Sequence, residues 1–208
     1  LKTKQYLQMD AYTRFNLELL RTIRSEDRFG SLLWVLDKTK TAMGARLLKT
    51  YISRPLADIY SINERLDVVE SFVNHFIARK EIATKLNEVY DLPRLIARIG
   101  YGNANARDLV QLSKSLKVIP EMKSILNEAL DLKLSELSNK LNDLNPIVEL
   151  IENAIIENPP FSIKEGGMFK EGYNEELDEL RKLSKGGKEW INSLEAQERE
   201  RTGIKTLR

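Results

Sequence analysis

The sequence predicts a mainly α fold: an irregular multi-helix core domain, a small β-hairpin, and one long protruding helix near the C-terminus. Three observations carry this. Only 10 glycines and 6 prolines occur in 208 residues, and Leu, Glu and Lys are abundant, a composition that favours helix. Apolar residues recur at three- and four-residue intervals in one segment after another. From Asn174 to about Arg201 the pattern reads as a single helix, roughly 40 Å long at about 1.5 Å per residue.

Taken in order, Met9-Asp10 and Thr13–Leu19 form an entry segment, and Arg24–Gly30 reads as a polar loop. In Ser31–Leu56, Leu32, Leu33 and Leu36 share one helical face. Asp37, Thr39 and Thr41 then offer side-chain oxygens to the open amides where a second helix starts. Gly44, one turn into that helix, is expected to admit another backbone, and Arg54-Pro55 stops it. Asp58 and Ser61 are candidate caps for a helix to about Asn74, whose apolar positions are Ile62, Leu66, Val69, Phe72 and Val73. Another amphipathic helix spans about 76–90.

Leu92–Ile99 reads as a short helix ended by Gly100-Tyr101-Gly102, with Pro93 harmless in its first turn. Asn105 or Asn103 caps a long helix through Leu109, Leu112, Leu116 and Ile119. Residues 126–144 also read as helical. Asn145-Pro146 is a helix-start signal, with asparagine capping and proline in the first turn, leading through Ile147, Leu150, Ile151 and Ile155 to Asn158-Pro159-Pro160. Two extended pieces, Phe161–Ile163 and Met168–Phe169, flank Glu165-Gly166-Gly167 and predict the small hairpin.

In the long helix, acidic residues crowd the start (Glu175, Glu176, Asp178, Glu179) and Arg199 and Arg201 lie near the end; both placements suit the helix dipole. Leu177, Leu180, Ile191 and Leu194 fall on a heptad seam, with Ser184 and Gly187 at its intervening positions. Gly186-Gly187 costs about 1–2 kcal/mol of helix propensity relative to alanine. Ser184, Gly186 and Gly187 are therefore hinge candidates.

Composition excludes several classes. A net charge of +2 does not mark a nucleic-acid binder. With no cysteine and one histidine, His75, disulfides, thiolate metal sites and a Ser-His pair lack support, and His75 reads as a surface or helix-end residue. The absence of cysteine fits a reducing cytosol. No apolar run reaches the roughly 20 residues of a membrane span. Gly186-Gly187-Lys188 is not a phosphate loop, because Lys182 and Glu189 stand where glycine and Ser or Thr are needed. Glu175-Glu176 reads as a solvated helix start. Trp34, between Leu33 and Val35, is expected in the core, and Trp190, beside the seam, partly exposed. No catalytic residue, cofactor-binding residue or metal ligand is assigned.

Three stretches resemble the MutS family of DNA mismatch-repair proteins. The first is Ser31, Leu32, Leu33, Leu36, Asp37, Thr39, Thr41, Met43, Gly44, Arg46, Leu47, Leu48, Pro55 and Leu56, preceded by Met9, Asp10, Thr13, Asn16, Leu17, Glu18 and Leu19. The second runs from Asp91 through Arg94, Leu95, Arg98, Ile99, Gly102, Ala104, Asn105, Arg107, Asp108 and Leu109 to Pro120. The third comprises Glu157–Pro160, Ile163, Gly166, Gly167, Gly172–Asn174 and Glu176–Arg181, with Glu198–Ile204 at the far end; it is similar to the bacterial branch.

The resemblance implies a MutS-like helical core domain over 1–156, then the hairpin and a lever helix over 157–208 leading towards a DNA-embracing clamp. It implies a fragment, beginning at Leu1, of a dimeric, cytoplasmic parent that binds mismatched double-stranded DNA and uses ATP and magnesium outside this segment. A MutL-type repair partner is also implied. Lys205 and Arg208, and then Arg199 and Arg201, are candidate contacts to the DNA backbone, each also readable as a solvated helix end. A helical protein-interaction scaffold with no DNA role is the alternative.

Overall fold

A computed structural model describes residues 5–203, which contain ten α-helices: α1 (Ala11–Asn16), α2 (Leu32–Leu36), α3 (Ala42–Ser53), α4 (Ile59–Asn74), α5 (Phe76–Leu86), α6 (Leu92–Gly100), α7 (Ala106–Glu128), α8 (Leu132–Asn139), α9 (Asn145–Ala154) and α10 (Glu175–Thr202). The protein is mainly helical, as expected.

Most helices begin where a short polar side chain captures an open amide. Asp10, Ser31, Thr41, Asp58, Asp91, Asn105, Asp131 and Asn174 each accept from a backbone N–H two or three positions into the following helix. At α7 the exchange is reciprocal: Asp108 N donates to Asn105 Oδ1 at 3.0 Å and Asn105 N to Asp108 Oδ2 at 2.9 Å. Asn105, not Asn103, is the cap. Asn145 does not cap α9; it is already helical, the cap position belongs to Leu144, and no side chain bonds there. Pro146 explains why this is tolerated, because it removes one of the amides a cap would serve.

The 23-residue α7 is the spine. Its first half supplies Ala106, Leu112 and Leu116 to a core completed by Leu95 of α6 and Val148, Ile151 and Ala154 of α9. Its last turns supply Leu126 to a second core with Ile82 of α5 and Leu134 of α8. Pro120 lies between, inside the helix; it withdraws one amide donor from the helical ladder, yet α7 continues through it because both ends are fixed by burial. A third, smaller core joins Leu19, Leu33 and Ile52. Beside it, Tyr6 and Leu56 form an antiparallel bridge in which Leu7 N donates to Pro55 O at 2.8 Å.

The extended hairpin over 161–169 does not form. Ser162 caps a 3-10 turn, Ile163–Glu165, and the Glu165 carboxylate returns to accept from Ser162 N at 3.0 Å. Local capping outcompetes strand pairing here. Phe169 instead bridges antiparallel to Ile155. Gly166 and Gly167 both take positive φ, 68° and 71°, and so reverse the chain where a side chain would be strained.

Trp34 is also not in the core. α2 has only five residues, and Leu33 is its buried member, leaving Trp34 half exposed with its ring 4.5 Å from Phe29. Trp190 is exposed, as expected.

Candidate functional site

The candidate site is α10 with its root. α10 runs unbroken for 28 residues, contributes no buried residue among those described, and ends at Gly203 in the left-handed region at φ 71°. Its root is tied down from several sides. Lys170 N donates to Ala154 O at 2.9 Å and Ile156 N to Met168 O at 3.0 Å, which fastens the incoming segment to the end of α9. Arg181 then reaches back to donate to Phe169 O at 3.0 Å, while Asp178 accepts from Gly172 N at 2.6 Å and pairs with Arg181 at 3.2 Å. Phe169 and Tyr173 stack with rings 3° from parallel and centroids 5.9 Å apart.

Further upstream, Arg107 of α7 donates Nε to Pro159 O at 2.9 Å and lies over the Phe161 ring. A continuous hydrogen-bonded path therefore runs from α10, through residues 155–172, to α9 and the spine helix α7. Arg107 and Arg181 both stand in the motif stretches, but their carbonyl partners lie 52 and 12 residues away, and no periodicity announces such pairings.

The hinge candidates Ser184, Gly186 and Gly187 lie exposed within the unbroken helix, three to six residues beyond Arg181. A Cβ built at either glycine meets nothing within 4 Å, so neither is glycine for want of space. Gly44 differs: a Cβ there would stand 2.9 Å from Thr41 Oγ1. What it makes room for is the cap of its own helix and not a second backbone.

Of the cation candidates, Arg199 pairs with Glu195 at 3.3 Å and Arg201 with Glu198 at 2.8 Å, in the last turns of α10. Lys205 and Arg208 lie outside the described residues. His75 sits at the α4–α5 junction, with Nδ1 2.8 Å from Ser71 O and 3.8 Å from Asp131, a helix-end role. Among the described residues no group of three or more His, Asp or Glu side chains could hold a metal ion, and no helix is long and apolar enough to cross a membrane.

The motif turn after α2 is closed by Asp37, which accepts from Thr39 Oγ1 at 2.6 Å and Thr39 N at 3.0 Å and forms an ion pair with Arg28. The Thr39 hydroxyl and amide, with Arg28 behind them, hold the Asp37 carboxyl below its ordinary range. Buried Asp108, besides its cap, pairs with Arg98 at 3.0 Å, and Arg98 also donates to Asn103 O at 3.2 Å.

A capped helical body with two main cores along one spine, holding by its root a long helix none of whose described residues is buried, defines a class of mainly helical domain. The family description "MutS domain III" matches residues 12–208, and the chain belongs to that family. A DNA mismatch repair protein MutS from Geobacillus sp. (strain WCH70) is 52% identical over 203 residues, covering 98% of this chain and 24% of the relative. The protein of the same name from Bacillus subtilis (strain 168) is 48% identical over 205 residues, covering 99% and 24%. That from Staphylococcus haemolyticus (strain JCSC1435) is 49% identical over 203 residues, covering 98% and 23%. The chain thus spans about a quarter of the length of these relatives.

Proposed function

We propose that this chain is the mechanical middle of a DNA mismatch-repair ATPase, with residues 1–156 as the helical core and 157–208 as the root and lever helix. In this reading it carries no catalytic residues. It links a DNA-embracing clamp to an ATPase domain that uses ATP and magnesium, within a dimeric, cytoplasmic protein that binds mismatched duplex and engages a MutL-type partner. The observation that supports it best is the contrast along α10. Its root is tied by Arg181 and Asp178 to the segment fastened on α9, whereas none of the described residues beyond it in the helix is buried. A rod held rigidly at one end carries displacement from its far end into the body, as a hinge or rigid-body motion.

The test uses the longer protein that contains this chain. Arg181→Gln removes the tie to Phe169 O while preserving helix propensity. Mismatch binding should persist, and ATP-dependent release from mismatched duplex should slow. Unchanged release, with the chain folded, would count against the lever reading.

A helical interaction scaffold is the second reading, supported by the exposed aromatic and aliphatic side chains of Tyr12, Phe29, Ile59 and Tyr60. Equal affinity of the longer protein for matched and mismatched duplex would favour it.

A further inference from the structure

We propose that the helical body is two rigid units jointed at Pro120 of α7 and held in register by α3, a strap fastened to both. The cores divide at that proline. Ile119 is the last residue of α7 packed on the first core, which also takes side chains from α6, α9 and the root segment through Leu95, Ile151, Ile155 and Met168. Met122 is the first residue of α7 packed on the second core, which draws the rest from α4, α5, α8 and Leu141. No side chain belongs to both. Among the described residues, α6 and α9 pack extensively on α7 but not on α4, α5 or α8.

The charges respect the same division. Lys117 and Glu152 pair at 2.7 Å within the first unit. Lys85 pairs with Glu121, and Lys133 with Asp67 at 3.7 Å, within the second. Besides α7, the chain passes between the units through residues 87–91 and 140–144. Tyr90 N donates to Ser115 Oγ at 2.9 Å, and Lys123 meets Asp143 at 3.2 Å, so each connection is tied to one unit beside it. At the joint itself proline supplies no amide, so the Leu116 carbonyl loses its helical donor and the ring presses on that same carbonyl. Helices bend at such sites. Pro120 is exposed, so bending there opens the helical ladder towards solvent and compresses neither core.

The strap spans the two units. Arg46 of α3 forks Asp91 at the head of α6, in the first unit, through two bonds of 2.7 Å. Five residues on, the Tyr51 ring lies under Arg65 of α4, in the second unit, with the guanidinium carbon 3.5 Å from the ring centroid. Residues 54–58 also join α3 directly to α4, so α3 moves with the second unit. The Arg46–Asp91 fork is then the contact that opens when α7 flexes, and while closed it limits the motion to one arrangement of two rigid bodies. The inference does not rest on the lever reading, because the motion is read without DNA or ATP.

The experiment uses the 208-residue chain, which has no cysteine, with paired spin labels and distances read by double electron–electron resonance. Lys80→Cys on α5 with Asn153→Cys on α9 straddles the joint, and Glu64→Cys with Lys80→Cys lies within the second unit; all three positions are exposed. The straddling pair should give the broader distance distribution. Pro120→Ala should narrow it to the width of the pair within one unit, and Arg46→Gln should broaden it further, with circular dichroism confirming that helix content persists. The pair within one unit should not respond to either change. Amide exchange supplies a second measurement that needs no label: residues 117–121 should exchange faster than the turns on either side, and Pro120→Ala should remove that difference. A straddling pair as narrow as the other in the Arg46→Gln chain, a distribution unmoved by Pro120→Ala, equal responses of the two pairs, or uniform exchange along α7 would each overturn the proposal.

Discussion

Arg46 of α3 and Asp91 at the start of α6 meet through two parallel hydrogen bonds of 2.7 Å, Nη1 to Oδ2 and Nη2 to Oδ1. They stand 45 residues apart, one in each of the first two motif stretches. The pair fastens the capped turn of the N-terminal segment to the helix that opens the largest core. Asp91 also accepts from Arg94 N at 3.4 Å, so one carboxylate joins two helices and starts one of them. The Arg46 guanidinium holds that carboxyl below its ordinary value, and the carboxylate in turn raises the Arg46 pKa. Bidentate geometry needs a planar fork, which lysine lacks. Arg46→Lys should therefore lose most of what Arg46→Ala loses. Asp91→Ala should destabilise more than Asp91→Asn, which keeps an acceptor for the cap; loss of a cap alone costs about 1 kcal/mol. Urea denaturation of the single and double variants checks this, and a coupling of zero would show the fork to be inert.

Much of this frame is readable from residue order, and the reason is local. Asp58, Asp91, Asn105 and Asn174 sit one residue before their helices and satisfy amides two or three positions ahead, so the signal and its consequence are neighbours. Trp34 and the 161–169 segment resist such reading because their outcome is set elsewhere. Trp34 is turned outward because Leu33 takes the single inward position of a five-residue helix. Phe169 pairs with Ile155 rather than with residues 161–163 because the end of α9 is already fixed in the core by Ile151 and Ala154. The root of α10 was equally illegible, since Arg181 finds a backbone carbonyl that no side-chain pattern encodes.

Acid should weaken the protein in a defined direction. The Thr13 amide holds the Asp10 carboxyl low, the Ser61 hydroxyl and amide that of Asp58, Arg46 that of Asp91, and the Leu134 amide that of Asp131. All four have folded pKa values below the unfolded reference of 3.8. Their contribution is present above that reference and is lost as pH falls through the folded values. Denaturation midpoints should stay level from pH 7 to about pH 5 and decline below about pH 4. Replacing Asp58 and Asp131 together by Asn should flatten that decline; an unchanged acid limb would assign it to other carboxyls.

The second core should be the more sensitive to truncation on the α7–α8 side. Leu134 is 0% exposed and Leu126 1% exposed, so truncation to alanine opens a cavity that little can fill. Each change should cost about 2–5 kcal/mol. Leu132→Ala, at a 73% exposed position, should shift stability by less than about 0.5 kcal/mol. Thermal or urea unfolding distinguishes them, and equal effects would mean that α8 is not docked.

The glycine pair in α10 offers a clean test of bending. Nothing lies within 4 Å of a Cβ at Gly186 or Gly187, so alanine adds helix propensity without a clash. Each substitution should stabilise the helix by about 1 kcal/mol and lower amide exchange between residues 180 and 194. In the longer protein the double variant should stiffen the arm and slow ATP-dependent release from mismatched DNA. Reduced exchange with unchanged release would remove Ser184–Gly187 as a hinge while leaving the rod itself in place.

The end of α10 tests whether its cations serve DNA or the helix. Arg199 and Arg201 bond Glu195 and Glu198 one turn back, an arrangement that helps the helix by only a few tenths of a kcal/mol per pair. A cation that neutralises a phosphate releases a counterion, and each such contact contributes about 0.9 to the slope of log affinity against log salt. Neutralising Lys205 and Arg208 to Gln in the longer protein should lower that slope by up to about 2, equally for matched and mismatched duplex, because phosphate contacts carry no sequence information. Arg199→Gln and Arg201→Gln should change the slope less, since each guanidinium already has a carboxylate partner. An undiminished slope in the Lys205/Arg208 variant would remove these two residues as contacts to the DNA backbone, and a loss confined to mismatched duplex would give them a part in recognition that backbone contact does not supply.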